Sequence, residues 1–130
     1  MSAPQGAITY QLLLEVTRPA TVTVGRLGRF TLPPGRYFYT GSARRNLEAR
    51  IARHLKRRKK RRWHIDWLTT HPAIRVVEVI RSTLPECELN QRTGGEIPIP
   101  GFGASDCRAG CGSHLRRIGP LPASRRSARE

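Results

Sequence analysis

The stretch Tyr37-Phe38-Tyr39-Thr40-Gly41-Ser42-Ala43, with the run from Asn46 to Leu55 (Asn-Leu-Glu-Ala-Arg-Ile-Ala-Arg-His-Leu) close behind it, decides how this chain folds. Aromatic and β-branched residues over 36–40 predict a strand, because such side chains suit a pleated, half-buried surface. Gly41-Ser42 ends it. Leu47, Ile51 and Leu55 then recur every four residues, so an apolar stripe runs along a helix predicted over 46–58, with Asn46 as its N-cap. Arg50 and His54 stand four residues apart and share one face of that helix. Each follows a stripe residue by three positions, so the pair borders the sheet and does not point freely into water. An arginine presented there clamps a phosphate through its planar fork, and a nearby Tyr or His orients or deprotonates a water. A solvated basic helix with a histidine flanking the core would use the same residues.

Around this centre the chain alternates strands and helices. Residues 8–16 are short, apolar and partly β-branched and read as a buried strand. Residues 21–24 and 29–32 form a hairpin across the Gly25–Gly28 turn. A short helix is expected over 63–70, stopped before Pro72, and a strand over 74–80. A third helix starts near Pro85, with Glu86 and Glu88 favoured in its first turn by the helix dipole. Residues 94–103 are rich in Gly and Pro and read as a loop, and 105–118 has no clear class. The fold class is α/β (α+β): a small, mostly antiparallel central sheet flanked by helices. Residues 1–118 make one domain, and 119–130 a disordered basic tail.

The chain has 130 residues, with 24 Lys and Arg against 9 Asp and Glu, a net charge of +15. Self-repulsion on that scale calls for an anionic partner, and nucleic acid is the commonest one for a soluble domain. No segment reaches the roughly 20 apolar residues that span a bilayer, and no helix pairs a basic face with a large aromatic one. With no basic leader ahead of an apolar stretch, the expected location is the cytoplasm. The run Lys56-Arg57-Arg58-Lys59-Lys60-Arg61-Arg62 follows the proposed active-site helix. If the helix continues, these cations surround it on all sides, as suits a segment lying along a phosphate backbone.

In Trp63-His64-Ile65-Asp66-Trp67-Leu68, helical spacing makes the two indoles buried anchors. His64 is a candidate for the catalytic or metal shell, and Asp66 for orienting a histidine, capping a helix, or both. Three cysteines with no secretion signal argue against a disulfide framework. Cys107-x3-Cys111-x2-His114 has near-ligand spacing for structural zinc, with Cys87 or His64 as a fourth group. Buried free thiols under the Gly-Phe-Gly loop are the competing reading, and His114 is also a candidate to face the active site.

Six motifs in order resemble a known group. They are Ile8-Thr9-Tyr10; Tyr37 to Ala43; Arg50-Ile51-Ala52-Arg53-His54; Trp63 to Leu68; Glu86-Cys87-Glu88-Leu89; and Gly101-Phe102-Gly103-Ala104-Ser105-Asp106-Cys107 with a later His114-Leu115. Together they are similar to the GIY-YIG nuclease superfamily, and more closely to a small branch known as domain of unknown function 123. The resemblance implies that Tyr10 and Tyr39 match the tyrosines of the two name-giving motifs. It implies that Arg50 matches the superfamily's arginine, and His54 the group that follows it on the helix. Glu86 would hold a single Mg2+ or Mn2+, with Glu88 as the fallback. The implied function is endonuclease cleavage of DNA, structure-selective, in repair or processing. The alternatives are a binding module of the same fold that has lost catalysis, and a basic accessory protein for RNA. DNA is favoured over RNA, and a domain this small also suits work beside a protein partner.

Overall fold

The computed structural model describes residues 6–104, 107 and 110–122. Six strands and three helices follow one another as β1 (Thr9–Val16), β2 (Ala20–Val24), β3 (Gly28–Leu32), β4 (Gly35–Ser42), α1 (Leu47–Leu55), α2 (Asp66–Thr69), β5 (Ile74–Ser82), α3 (Glu86–Thr93) and β6 (Leu115–Gly119). Four strands form one antiparallel sheet in the order β5-β1-β4-β6, and β2 and β3 pair as a separate hairpin. This is the expected mixed architecture with an antiparallel centre.

β1 is buried along its whole length because it has a neighbour on each edge and cover on each face. Its residues alternate accordingly. Tyr10, Leu12, Leu14 and Val16 enter the main core with Ile51 of α1, Leu68 of α2 and Val22 and Val24 of the hairpin. Truncating a leucine here removes about 2–5 kcal/mol, since the cavity collapses only partly. The opposite face carries polar groups that are paired. Gln11 Nε2 donates to Thr40 Oγ1 and to Thr93 Oγ1 of α3, at 3.1 and 2.7 Å, and Glu15 meets Arg75 at 3.3 Å. α3 therefore covers the second face. Thr9 Oγ1 donates to the Leu84 carbonyl at 2.5 Å and fixes the entry into α3.

Three expectations are corrected. The first helix ends at Leu55 instead of running to 58, and Leu55 is 48% exposed. The face that packs is Leu47, Ile51 and His54, so the histidine goes inside and Leu55 outside. At the stop, Lys59 Nζ donates to the carbonyls of Arg53 and His54, both at 2.8 Å, satisfying helix-end acceptors that continuation would have used. The run 56–62 is therefore not a helix with cations all round. Asn46 holds the N-cap position, but in the left-handed region (φ 58°) with no side-chain cap bond, a conformation asparagine tolerates. The segment 105–118, whose sequence has no clear class, contains most of β6. That strand's pairing with β4 is a long-range event, and Gly119, assigned to the tail, is its last residue. The rest of the proposed tail from 123 onward lies outside the described residues. Among the described residues no helix is long and apolar enough to cross a membrane.

Candidate active site

Beyond the Ser42 end of β4 lies a cleft of about 390 Å3. Tyr10, Tyr39, Gly41 and Ser42 line it from the sheet, and Arg50 from α1. Arg62, Trp63 and His64 come from the α1–α2 connection, and Glu86 and Cys87 from the first turn of α3. Gly103, Cys107 and His114 close it from the segment before β6. Residues spread over more than 100 positions thus meet in one place, and sheet register explains the first step. Tyr10 stands directly opposite Gly41. A Cβ on Gly41 would lie 2.6 Å from Tyr10 Oη, so only glycine leaves space for the phenol.

Tyr10 Oη and His54 Nε2 are 2.5 Å apart. His54 is 1% exposed and stands behind Tyr10, not on the cleft surface. It contacts the tyrosine and nothing that enters the cleft could touch it first. Its Nδ1 is buried with no hydrogen-bond partner among the described residues. Burial, reinforced by the Lys59 charge, pushes His54 down to about 4. Burial lifts the Tyr10 phenol well above its ordinary range in spite of the Arg50 charge, and lifts Tyr39 in the same way. At neutral pH both phenols keep their protons and the imidazole is uncharged.

Arg50 is oriented from two sides. Its Nη1 donates to the Ser42 carbonyl at 3.1 Å, and its guanidinium carbon lies 4.7 Å from the Trp63 ring centroid. Arg53 stacks on the same indole at 4.4 Å. Trp63 is therefore a platform for two guanidinium groups and only half-buried, where a fully buried anchor was expected.

Glu86 sits between two donors. Ser42 Oγ donates to Oε1 and His114 Nδ1 to Oε2, each at 2.5 Å. Burial alone would raise this carboxyl, but those two hydrogen bonds and the His114 and Arg50 charges outweigh it and hold it below its usual value. Its side chain remains 26% exposed, on the cleft. His114 is nearly buried. Burial works to lower it, but Glu86 and the neighbouring thiols carry it up to about 9. On its other side, His114 Nε2 is 3.9 Å from Cys87 Sγ, which is 3.3 Å from Cys107 Sγ. With Cys111 these groups form a cluster whose four ligand atoms all lie within 4.8 Å of one another. Cys87, not His64, is thus the fourth member. Burial and the two neighbouring thiols push Cys87 up to about 12.

The remaining candidates divide. His64 lines the cleft, and its Nδ1 accepts from the Gly103 N–H at 2.8 Å, which leaves Nε2 as the donor of the neutral ring. Asp66 orients no histidine. It is fully buried, takes Nη1 and Nη2 of Arg53 at 3.0 Å each, and accepts from the N–H groups of Arg62 and Trp63, so it ties down the α1–α2 connection. In the basic run, Arg57 is spent on the carbonyls of Ile74 and His71 and Lys59 on the end of α1. Lys59 is brought down to about 8, chiefly by burial. Lys56, Arg58, Lys60, Arg61 and Arg62 are exposed, and Arg62 reaches the cleft. Ser105 and Asp106 of the Gly-Phe-Gly motif lie outside the described residues.

Ser42 and Trp63 were not read as site residues. Ser42 follows the strand-ending glycine, and only the docking of α3 against β4 shows that its hydroxyl reaches Glu86. No curated protein and no solved structure matches the chain. The family described as Domain of unknown function DUF123 matches residues 9–129, nearly the whole length, and the chain belongs to that family.

Proposed function

We propose that this chain is a metal-dependent endonuclease of the GIY-YIG kind, hydrolysing phosphodiester bonds in DNA. The observation that carries the reading is the meeting of Tyr10, Tyr39, Arg50 and Glu86 on one cleft, from four separate elements, the central strands β1 and β4 and the helices α1 and α3, with His54 bonded behind Tyr10. Arg50 is prealigned by Ser42 and Trp63, so it meets the charge that grows on a phosphoryl group without first having to be ordered. The Tyr10–His54 pair can take a proton in relay. Water gives a proton to the Tyr10 oxygen as the Tyr10 proton moves to His54 Nε2 in the tautomer that carries its own proton on Nδ1, against a burial that disfavours the charged ring.

Glu86 fits a Mg2+ or Mn2+ ion. It offers a partly exposed, ionised carboxylate in a cleft that the Ser42 side chain, Tyr10 and Tyr39 also line. Magnesium is commonly held by one or two carboxylates, with waters and substrate phosphate completing its shell. When bound, such an ion supplies polarisation of a phosphate oxygen. The exposed cations Lys56, Arg58, Lys60, Arg61 and Arg62 would track the backbone and carry most of the affinity. A run of cations along a phosphate backbone carries no sequence information by itself, which favours selection by DNA structure, in repair or processing in the cytoplasm.

The test is incubation of the purified protein with nicked, flapped and branched DNA in Mg2+ or Mn2+. Cleavage lost in Arg50→Ala and Glu86→Ala supports the enzyme. Binding without cleavage under every metal overturns it in favour of the second reading, a non-catalytic nucleic-acid-binding module. One observation favours that alternative: both Glu86 oxygens already have protein donors. Stronger binding to RNA than to DNA, with Arg50→Ala tolerated, would overturn both.

A further inference from the structure

We propose that Cys87, Cys107, Cys111 and His114 bind one structural Zn2+ ion, which fastens the segment before β6 to the first turn of α3. Nothing in the nuclease reading calls for this site, and it stands without it. Three sulfurs and one imidazole nitrogen within 4.8 Å of one another are a complete four-ligand set. Zinc bonds of about 2.3 Å to sulfur and about 2.0 Å to nitrogen set tetrahedral ligand atoms roughly 3.5–3.8 Å apart. The Cys87–Cys107 separation of 3.3 Å and the Cys87–His114 separation of 3.9 Å bracket that range. Side-chain shifts of about 1 Å at most would close the shell.

Two further observations point to a metal ion. His114 Nδ1 bonds to the Glu86 carboxylate, leaving Nε2 as the atom that faces the thiols. A histidine anchored by a carboxylate on its far nitrogen is the usual arrangement of a zinc ligand, because the anchor fixes the ring and raises its basicity. The second is what the site would hold. Between Gly94 and Leu115 the described residues form no helix or named strand, only the Glu96–Arg117 bridge. Yet Phe102 is fully buried and Gly103 fixes His64 at the cleft. Hydrogen bonds across the loop, Gly101 N–H to the Gly112 carbonyl and His114 N–H to the Phe102 carbonyl, hold these positions, and an ion would join the loop to α3 as well. Four protein ligands make a closed shell with no open position, hence a structural and not a catalytic ion. On binding, each thiol and the imidazole lose a proton to solvent, and no electron is transferred.

The test is the zinc content of protein purified without a histidine tag under reducing conditions, followed by replacement with Co2+. The expected result is about one zinc per chain, and a cobalt form with the visible spectrum of tetrahedral thiolate coordination. Cys111→Ser should lower the stoichiometry or the affinity, and Glu86→Gln should weaken binding about 10- to 100-fold without removing it. Tyr10→Phe should leave zinc untouched even where it abolishes cleavage, so failure of one reading does not carry the other with it. Zinc below a tenth of an equivalent, with wild-type protein that takes up neither Zn2+ nor Co2+, overturns the proposal. So does a Cys87–Cys107 disulfide in protein kept reduced throughout purification.

Discussion

The two walls of the cleft are built in different ways. On one side Tyr10, Tyr39, Gly41, Ser42 and Arg50 hang on adjacent strands and on the helix that packs against them. Their positions follow from hydrogen-bonded register and core packing, and Tyr10, Ser42 and Arg50 each have a side-chain hydrogen bond that orients them. On the other side Cys107, Cys111 and His114 come from a connection without regular structure, held by scattered bonds such as Gln91 Nε2 to Cys111 Sγ and the Thr40 N–H to the His114 carbonyl, by Glu86 and by contacts with one another. Glu86 touches both walls, through Ser42 and through His114. The comparison teaches that a rigid scaffold positions reacting groups by itself, whereas a loop needs an added constraint. It also makes Glu86 a residue whose loss affects both.

The largest effect should come from the regular wall. Arg50→Ala is expected to reduce single-turnover cleavage on the order of 10^2–10^3-fold, as losing a preorganised charge-stabilising donor does. The fold and the zinc content should be unchanged, and a parallel loss of zinc would show that the walls are not independent.

Acid should act on the same wall next. The folded-state value of His54 is depressed to about 4, from an ordinary value near 6.5. The native state therefore binds fewer protons than the unfolded chain between those values. Stability from keeping His54 neutral is fully present above pH ~6.5 and is lost as pH falls toward 4, by about 3 kcal/mol in all. Urea unfolding from pH 7 to pH 4 should show this slope, and His54→Gln should flatten it. An unchanged slope in the variant would mean that the histidine is not held neutral by burial.

Gly41→Ala tests the register argument directly. The added methyl meets Tyr10 Oη at 2.6 Å, so the phenol must move and its bond to His54 must break. The cost should be about 1–3 kcal/mol of stability, with cleavage reduced and zinc retained. A variant as stable and active as the wild type would show that the cleft can yield there.

The smallest effects separate two neighbours in the basic run. Arg57→Ala should cost about 1 kcal/mol of stability, because two carbonyls lose their donor. Arg58→Ala should leave stability within ~0.5 kcal/mol, yet lower the salt-dependence slope of DNA binding by about 1. Equal behaviour of the two in both measurements would remove the distinction between structural and phosphate-facing cations.

Much of the regular wall was legible before the structure, and little of the other. Tyr39, Gly41 and Arg50 lie within a dozen residues, and strand and helix periods place them. Leu55 reads as part of the buried stripe and His54 as its border, whereas Leu55 is exposed and His54 buried, because a stripe at four-residue spacing cannot say where its helix stops. β6 was missed because its short, Arg-containing run becomes a strand only by pairing with β4. Asp66 reads as orienting a histidine, capping a helix, or both; it takes the N–H groups of Arg62 and Trp63 ahead of α2, and its side-chain partner, Arg53, depends on how the chain turns after α1.

By itself the sequence determined the mixed fold class, the order of most elements and the cationic character, since these depend on local periodicity and on a sum of charges. Tertiary structure alone decided that Ser42 reaches Glu86, that His54 hides behind Tyr10, and that Cys87 completes the thiol cluster. Those outcomes depend on which strands pair and which faces dock, and distances between residues far apart along the chain are set only when the sheet closes.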